Sequence, residues 1–177
     1  MLRGARWLDA ALVERFEERA AQTLGIAAER EGNAVNWQPV FDPAALGFPD
    51  KPLMQDCHGA PGIVCRLAGT RSPVLRELLL EAGEAVWSAG PLVKPPGLCH
   101  GTDGNAYAFL KLHALTSEAR WLERARAFAM HAIEQSEAQA ATHGMRRFSL
   151  WTGDLGLAVF LSSCIRADAD IPTLDVF

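Results

Sequence analysis

Apolar residues recur at helical spacing in three stretches of the chain. In "SPVLRELLLEAGEAVWSAG" Leu75, Leu78, Leu79, Ala82, Ala85, Val86 and Ala89 follow the i, i+3, i+4, i+7 rule, while Arg76, Glu77, Glu81 and Glu84 lie mainly opposite. Such a stripe predicts an amphipathic helix with one face on a core. Ser72 followed by Pro73 marks its start, because proline lacks only an amide hydrogen that the first turn leaves unbonded. "SEARWLERARAFAMHAIEQS" repeats the pattern through Trp121, Ala125, Ala129, Ala132 and Ser136, with Glu118, Arg120, Glu123, Arg124 and Glu134 turned away. The first twenty-odd residues predict a third such helix through Leu8, Leu12, Phe16, Ala20 and Leu24.

Three other segments, "GIVCRLAG" (62–69), "GNAYAFLKLHAL" (104–115) and "DLGLAVFLSSCI" (154–165), are apolar nearly all round. Helices of that kind are enclosed. Each follows a short glycine spacing, Gly59-x-x-Gly62, Gly101-x-x-Gly104 and Gly153-x-x-Gly156, set 42 and then 52 residues apart. That near-period predicts an internal repeat in which an enclosed helix precedes an amphipathic one. Stacked hairpins of this design give a solenoid or, if the ring closes, an α/α toroid with the enclosed helices inside. Strand patterning is weak throughout, so the fold class expected is all-α. Residues 32–56 carry four prolines and no sustained period, which predicts a long irregular connection.

Composition narrows the function classes. With 49% hydrophobic and 21% charged residues, the 177-residue chain is long enough for one domain with a sizeable core. A net charge of −4 with scattered basic residues argues against a nucleic-acid partner. No segment has the apolar length for a membrane span, and the acidic residues in the opening stretch argue against a signal peptide. Cys57, Cys65, Cys99 and Cys164 are therefore expected as reduced thiols in a cytoplasmic protein. Cys65 and Cys164 read as small buried hydrophobes.

Cys57–His58 in "DCHGAPG" and Cys99–His100 in "GLCHGTDGN" occupy equivalent places just before two enclosed helices. If neighbouring repeats pack side by side, Cys57, Cys99 and His100 can converge on one zinc ion. Thiolate and imidazole suit that metal, and three protein ligands leave a tetrahedral position open, which is the arrangement of catalytic sites. Free N–H groups at a helix N-terminus suit anionic ligands, and the glycines permit sharp turns. On spacing alone, two structural thiols beside a loop histidine explain the pattern equally well.

Taken in order, "CHGAPG", "GLCHGTDGNAYAFLKL" and "FSLWTGDLGLAVFL" closely resemble the C-terminal half of lanthionine synthetase C-like proteins. The similarity runs from about Pro52 to the closing "IPTLDVF". It divides the chain into residues 1–51, an N-terminal helix with its connection, and residues 52–177, a zinc-binding helical region. The resemblance implies an α/α toroid with Cys57, Cys99 and His100 as ligands of a central Zn2+. It also implies activation of a thiol for addition to dehydroalanine or dehydrobutyrine, with a thiol-containing peptide or glutathione as partner. His58, where family members carry Tyr or His, is then a candidate proton donor. Lys94, matching a lysine near glutathione in eukaryotic-type members, is a candidate for a substrate carboxylate. A loop histidine making a plain hydrogen bond and a solvated lysine are the alternatives.

Asp103 and Asn105 are expected to cap the following helix, His113 and His131 to lie within helices, His143 in a loop, and Trp87, Trp121 and Tyr107 in packing. The pattern also departs from the family. Members are usually much longer, so about half of the ring is expected, completed by a homodimer or by a missing N-terminal half, or else left as a remnant. The Asp and His that the family's N-terminal half supplies for proton transfer have no counterpart. Leu53 stands where lantibiotic cyclases carry Arg, which leans toward the glutathione-linked branch. Two readings follow: a zinc-dependent thiol-adding enzyme, and a catalytically silent zinc module that binds a thiol-containing peptide.

Overall fold

A computed structural model describes residues 8–40, 42, 44–47, 51–93 and 95–175. Six helices and one short hairpin follow in the order α1 (Ala10–Ala27), β1 (Ala28–Glu31), β2 (Ala34–Trp37), α2 (Ala60–Leu67), α3 (Pro73–Ala89), α4 (Thr102–Thr116), α5 (Ala119–His143) and α6 (Asp154–Arg166). The inner helices α2, α4 and α6 form one row, with α4 between the other two and α3 and α5 packed behind it; α6, expected to be enclosed, leaves Leu155 and Ile165 exposed because no neighbour covers its far side among the described residues, whereas α4 lies between two neighbours. This places every residue of α4 from Thr102 to Leu112 out of solvent, as its all-round apolar sequence requires.

The outer helices α3 and α5 carry the expected stripes, whereas α1 forms but buries none of its residues, and Leu8 and Phe16 of its expected stripe are exposed. Ser72 accepts from the Leu75 amide at 3.4 Å and Pro73 opens α3, whose Leu75, Leu78, Leu79, Ala82, Ala85 and Val86 are all buried. Each leucine hidden there contributes roughly 2 kcal/mol of hydrophobic stabilisation. Ala89 is exposed, so the stripe ends a turn early. Trp121, Ala125, Ala129, Ala132 and Ser136 of α5 are buried together with Phe128. Phe128 meets Phe109 edge-on at 5.1 Å, joining α5 to α4. Trp87, although 40% exposed, lies across Phe109 and Phe128. Arg124 sits 5.0 Å from the Trp87 ring and 4.8 Å from the Trp121 ring while pairing with Glu84.

Two further expectations need correction. Residues 34–37, assigned to an irregular connection, form strand β2, paired antiparallel with β1 through Glu31 opposite Ala34. The period-two signal lasts only four residues, with Val35 and Trp37 inward, and the two-residue Gly32-Asn33 turn sets the hairpin. Trp37 donates its indole N–H to the Leu24 carbonyl at 2.8 Å, tying the hairpin to α1. His143 belongs to α5, not to a loop, because the alanine-rich run after Ser136 continues the helix until Gly144 terminates it at φ 67°.

The C-terminal segment returns to α4. Lys111 Nζ lies 2.6 Å from Asp175 Oδ2, and the same carboxylate accepts from the Ile171 amide at 2.8 Å. Among the described residues no helix is long and apolar enough to cross a membrane.

Candidate metal centre

One turn is used three times. Gln55–Gly62, Gly97–Gly104 and Ser149–Gly156 lead into α2, α4 and α6, and in each the final glycine lies against the carbonyl six residues earlier. A Cβ on Gly62 would stand 1.9 Å from the Asp56 oxygen, on Gly104 2.1 Å from that of Leu98, and on Gly156 2.3 Å from that of Leu150. No side chain fits at those distances, so the turn can close over the helix start only with glycine there. The closure leaves two residues at the tip of each turn: Cys57–His58, Cys99–His100 and Trp151–Thr152.

Main-chain hydrogen bonds link the tips in register. The Cys57 N–H donates to the Cys99 carbonyl at 3.2 Å, and the Cys99 N–H to the Trp151 carbonyl at 2.9 Å. Side chains add to the same scaffold. Asn36 on β2 accepts from the Ala60 amide at 2.7 Å and donates to the Leu53 carbonyl at 3.2 Å, satisfying an α2 donor and holding the first turn. Asn105 donates to the Met54 carbonyl at 2.9 Å and so joins α4 to the first turn, whereas the sequence suggested a helix cap. The helix begins at Thr102, which puts Asn105 beyond the capping positions.

The first two tips bring three soft donors together. Cys57 Sγ, Cys99 Sγ and a ring nitrogen of His100 all lie within 4.8 Å of one another. Tetrahedral zinc with sulfur at about 2.3 Å and nitrogen at about 2.0 Å needs donors roughly 3.5–3.8 Å apart. The donors therefore need shifts of no more than about 1 Å to reach that spacing. Cys57 is exposed, Cys99 and His100 half-buried, and the Cys57 thiol donates to Gln55 Oε1 at 3.4 Å. The chemistry and spacing of the donors fit zinc.

The other sequence candidates fall outside this set. His58 is exposed beside Cys57, its main chain exchanging hydrogen bonds with Gln55 at 2.9 and 3.2 Å. Lys94 lies outside the described residues. Cys65 and Cys164 are buried, and burial pushes the Cys65 thiol far up and that of Cys164 up to about 12, which keeps both protonated. His113 lies within α4 and donates its Nδ1–H to the Glu118 carbonyl at 3.1 Å, while His131 is exposed on α5. Tyr107 is buried, with its hydroxyl 3.0 Å from Ser163.

Two buried carboxylates beside the tips were not singled out as part of the site by the sequence pattern. Asp56, next to Cys57, is held by Arg66 at 2.7 Å; burial raises its pKa while the Arg66 hydrogen bond and charge oppose the rise. Asp103, in the first turn of α4, is wholly buried and accepts from the Gly97 amide, and burial pushes its pKa up to about 6. An Asp flanking a Cys-His pair was the available signal. Without the fold it reads as an ordinary helix-terminus acid.

A row of enclosed helices backed by amphipathic ones, with two thiols and an imidazole converging on one rim, defines a class of helical-hairpin protein with a metal-type donor cluster. The profile of the lanthionine synthetase C-like protein family matches residues 12–176, and the chain belongs to that family, whose fold is an α/α toroid. The chain is similar to the protein named glutathione S-transferase LANCL1 from Danio rerio, with 36% identity over 135 residues, covering 70% of this chain and 32% of that protein. It is also similar to LanC-like protein GCL1 from Arabidopsis thaliana, with 45% identity over 94 residues, covering 50% of this chain and 22% of that protein. The matched part thus spans no more than about a third of either relative.

Proposed function

We propose that Cys57, Cys99 and His100 hold a zinc ion and that the protein works on thiols, adding a cysteine or glutathione thiol to a dehydroamino acid. The observation that carries this reading is the approach of the three donor atoms to within 4.8 Å on adjacent tips. Family membership and the name of the Danio rerio relative support a thiol substrate. Bound zinc would supply Lewis acidity that lowers the pKa of an incoming thiol into the neutral range.

The chain's own residues have the remaining roles. Cys57 and Cys99, on tips fixed by main-chain hydrogen bonds, would hold the ion together with His100, and three protein ligands would leave room for a substrate thiol. His58, exposed beside Cys57, is assigned the proton that the substrate's α-carbon takes up after the new C–S bond forms. Lys94 is assigned a substrate carboxylate. Reduced thiols of this kind fit a cytoplasmic protein. The remaining acid/base groups would come from a second copy of this chain or from a separate N-terminal half. Residues 1–51 would serve as a lead-in to the zinc-binding region 52–177.

The chain's match to no more than about a third of either relative favours a second reading, a zinc-dependent thiol-binding module without chemistry of its own. Incubation of the zinc-loaded protein with glutathione and a dehydroalanine peptide separates the two. Adduct above the metal-free background, read by mass spectrometry, supports addition. Glutathione binding without adduct selects the module. Failure of the wild type to retain zinc on dialysis overturns both.

A further inference from the structure

We propose that Asp103 is a positioning residue that fixes the Cys99–His100 tip, a role that rests on the metal-site reading above. The carboxylate is wholly buried in the first turn of α4, and its Oδ1 accepts from the Gly97 N–H. Gly97 is where the second turn begins, and its carbonyl accepts from the Gly101 amide at 3.0 Å where that turn ends. The segment carrying Leu98, Cys99 and His100 is thus a closed loop whose entry is tied by one side chain to the helix that follows it.

Gly97 is also hemmed in on its far side. It adopts φ 149°, and a Cβ there would lie 2.8 Å from Thr152 Cα and 2.9 Å from the Trp151 carbonyl oxygen, so the third turn presses on it directly. Loss of the Asp103 tie would leave a buried amide unsatisfied at this point, and a chain segment relaxes to avoid that. Because the third turn blocks the far side of Gly97, the relaxation passes along the loop toward Cys99 and His100. The second oxygen of Asp103 has no hydrogen-bond partner among the described residues and lies 3.2 Å from where a methyl on Gly156 would be, so the carboxylate also spaces the second turn from the third. A carboxylate buried this deeply is an unfavourable choice for a simple helix cap, for which an exposed Asp or a Ser suffices.

The test uses the full chain and three variants. Asp103→Asn keeps an acceptor oxygen for Gly97. Asp103→Ser keeps a polar hydroxyl in the first turn of α4 but one too short to reach Gly97. Asp103→Ala removes both. Two readouts are taken: amide hydrogen exchange over Gly97–Gly101 in metal-free protein, and Co2+ affinity from the thiolate-to-cobalt charge-transfer band.

The Ala and Ser variants are expected to speed exchange at this loop and weaken Co2+ roughly 10–100-fold, the range seen when groups that orient metal ligands are removed. Asn is expected to bind within about threefold of the wild type, since its hydrogen bond to Gly97 is retained. Should Ala not fold, Ser against Asn carries the comparison. Equal affinity and exchange for Ser and wild type overturn the proposal, as does an Asn variant as weak as Ser. Absence of a cobalt band in the wild type overturns the metal-site reading instead, and the exchange pattern then decides for or against Asp103.

Discussion

The main-chain N–H of Cys57 donates to the carbonyl of Cys99 at 3.2 Å, so two residues 42 positions apart share a hydrogen bond before any side chain is considered. Their thiols face the same space because their backbones are already paired. A bound ion would then close a gap of about 1 Å and would not need to gather distant loops, which keeps the ordering cost of binding small.

Zinc content should follow the donor set. Purified protein is expected to carry close to one zinc per chain by elemental analysis, and Cys99→Ala or Cys57→Ala to lose it. Cys164→Ala should keep it, since that thiol is buried and protonated. Zinc at about a thousand times its dissociation constant should add roughly 4 kcal/mol to unfolding stability, and a chelator should remove it. An unchanged melting temperature on chelation would contradict the assignment.

Stability of the metal-free protein should depend on the titration of Asp103. Its carboxyl is raised to about 6 in the folded state, against about 4 in the unfolded chain. The folded protein therefore holds this proton more tightly. The stability it brings is fully present below about pH 4 and is lost as pH rises through 6, a change of up to about 3 kcal/mol. Asp103→Asn does not titrate, so its advantage over the wild type should grow by that amount between pH 4 and pH 7 in urea unfolding. A difference independent of pH would contradict this.

The two kinds of glycine in the chain should respond in opposite ways to one methyl group. Gly104→Ala places a carbon 2.1 Å from the Leu98 carbonyl oxygen, which main-chain neighbours cannot avoid. A cost above about 4 kcal/mol or failure to fold is expected. Gly25→Ala, within α1 and with nothing inside 4 Å, should stabilise by about 0.5–1 kcal/mol through helix propensity. Thermal melts of the two variants check both signs.

Lys111 and Asp175 form a largely buried pair at 2.6 Å. Lys111→Met leaves the carboxylate without its cation and should cost about 2–4 kcal/mol, whereas Lys111→Met with Asp175→Asn should recover part of that. Asp175 is held below the usual carboxylate range; burial pushes it up, and the Lys111 and Ile171 hydrogen bonds outweigh that. The stability it contributes is therefore present above about pH 4 and is lost as pH falls below that value. Denaturation curves of single and double variants at pH 7 and pH 3 check both statements.

Helical periodicity was enough to find the helices, because burial of one face, or of all faces, leaves its mark on each residue separately. Leu75, Leu78 and Leu79 needed no knowledge of their partners to be placed inside. The β-hairpin was missed because four-residue strands give too little period, and Val35 and Trp37 are apolar for a contact visible only in three dimensions. Cys57, Cys99 and His100 were legible as a set because the repeat puts them in equivalent places. The buried carboxylates were not recognised as part of the site. An Asp before a cysteine or near a helix start is common, and what distinguishes Asp56 and Asp103 is a distant partner and the absence of solvent. Asn36, which holds the start of α2 from a strand 24 residues away, is hidden for the same reason.

The third turn offers a comparison that the first two cannot. Trp151 takes up the same main-chain bond that Cys99 makes to Cys57, yet brings neither sulfur nor imidazole to the rim. The turn therefore folds without regard to its cargo, since its glycines and amides do the folding and the two residues at its apex are free to vary. Reactivity on this rim is a matter of which side chains are mounted there.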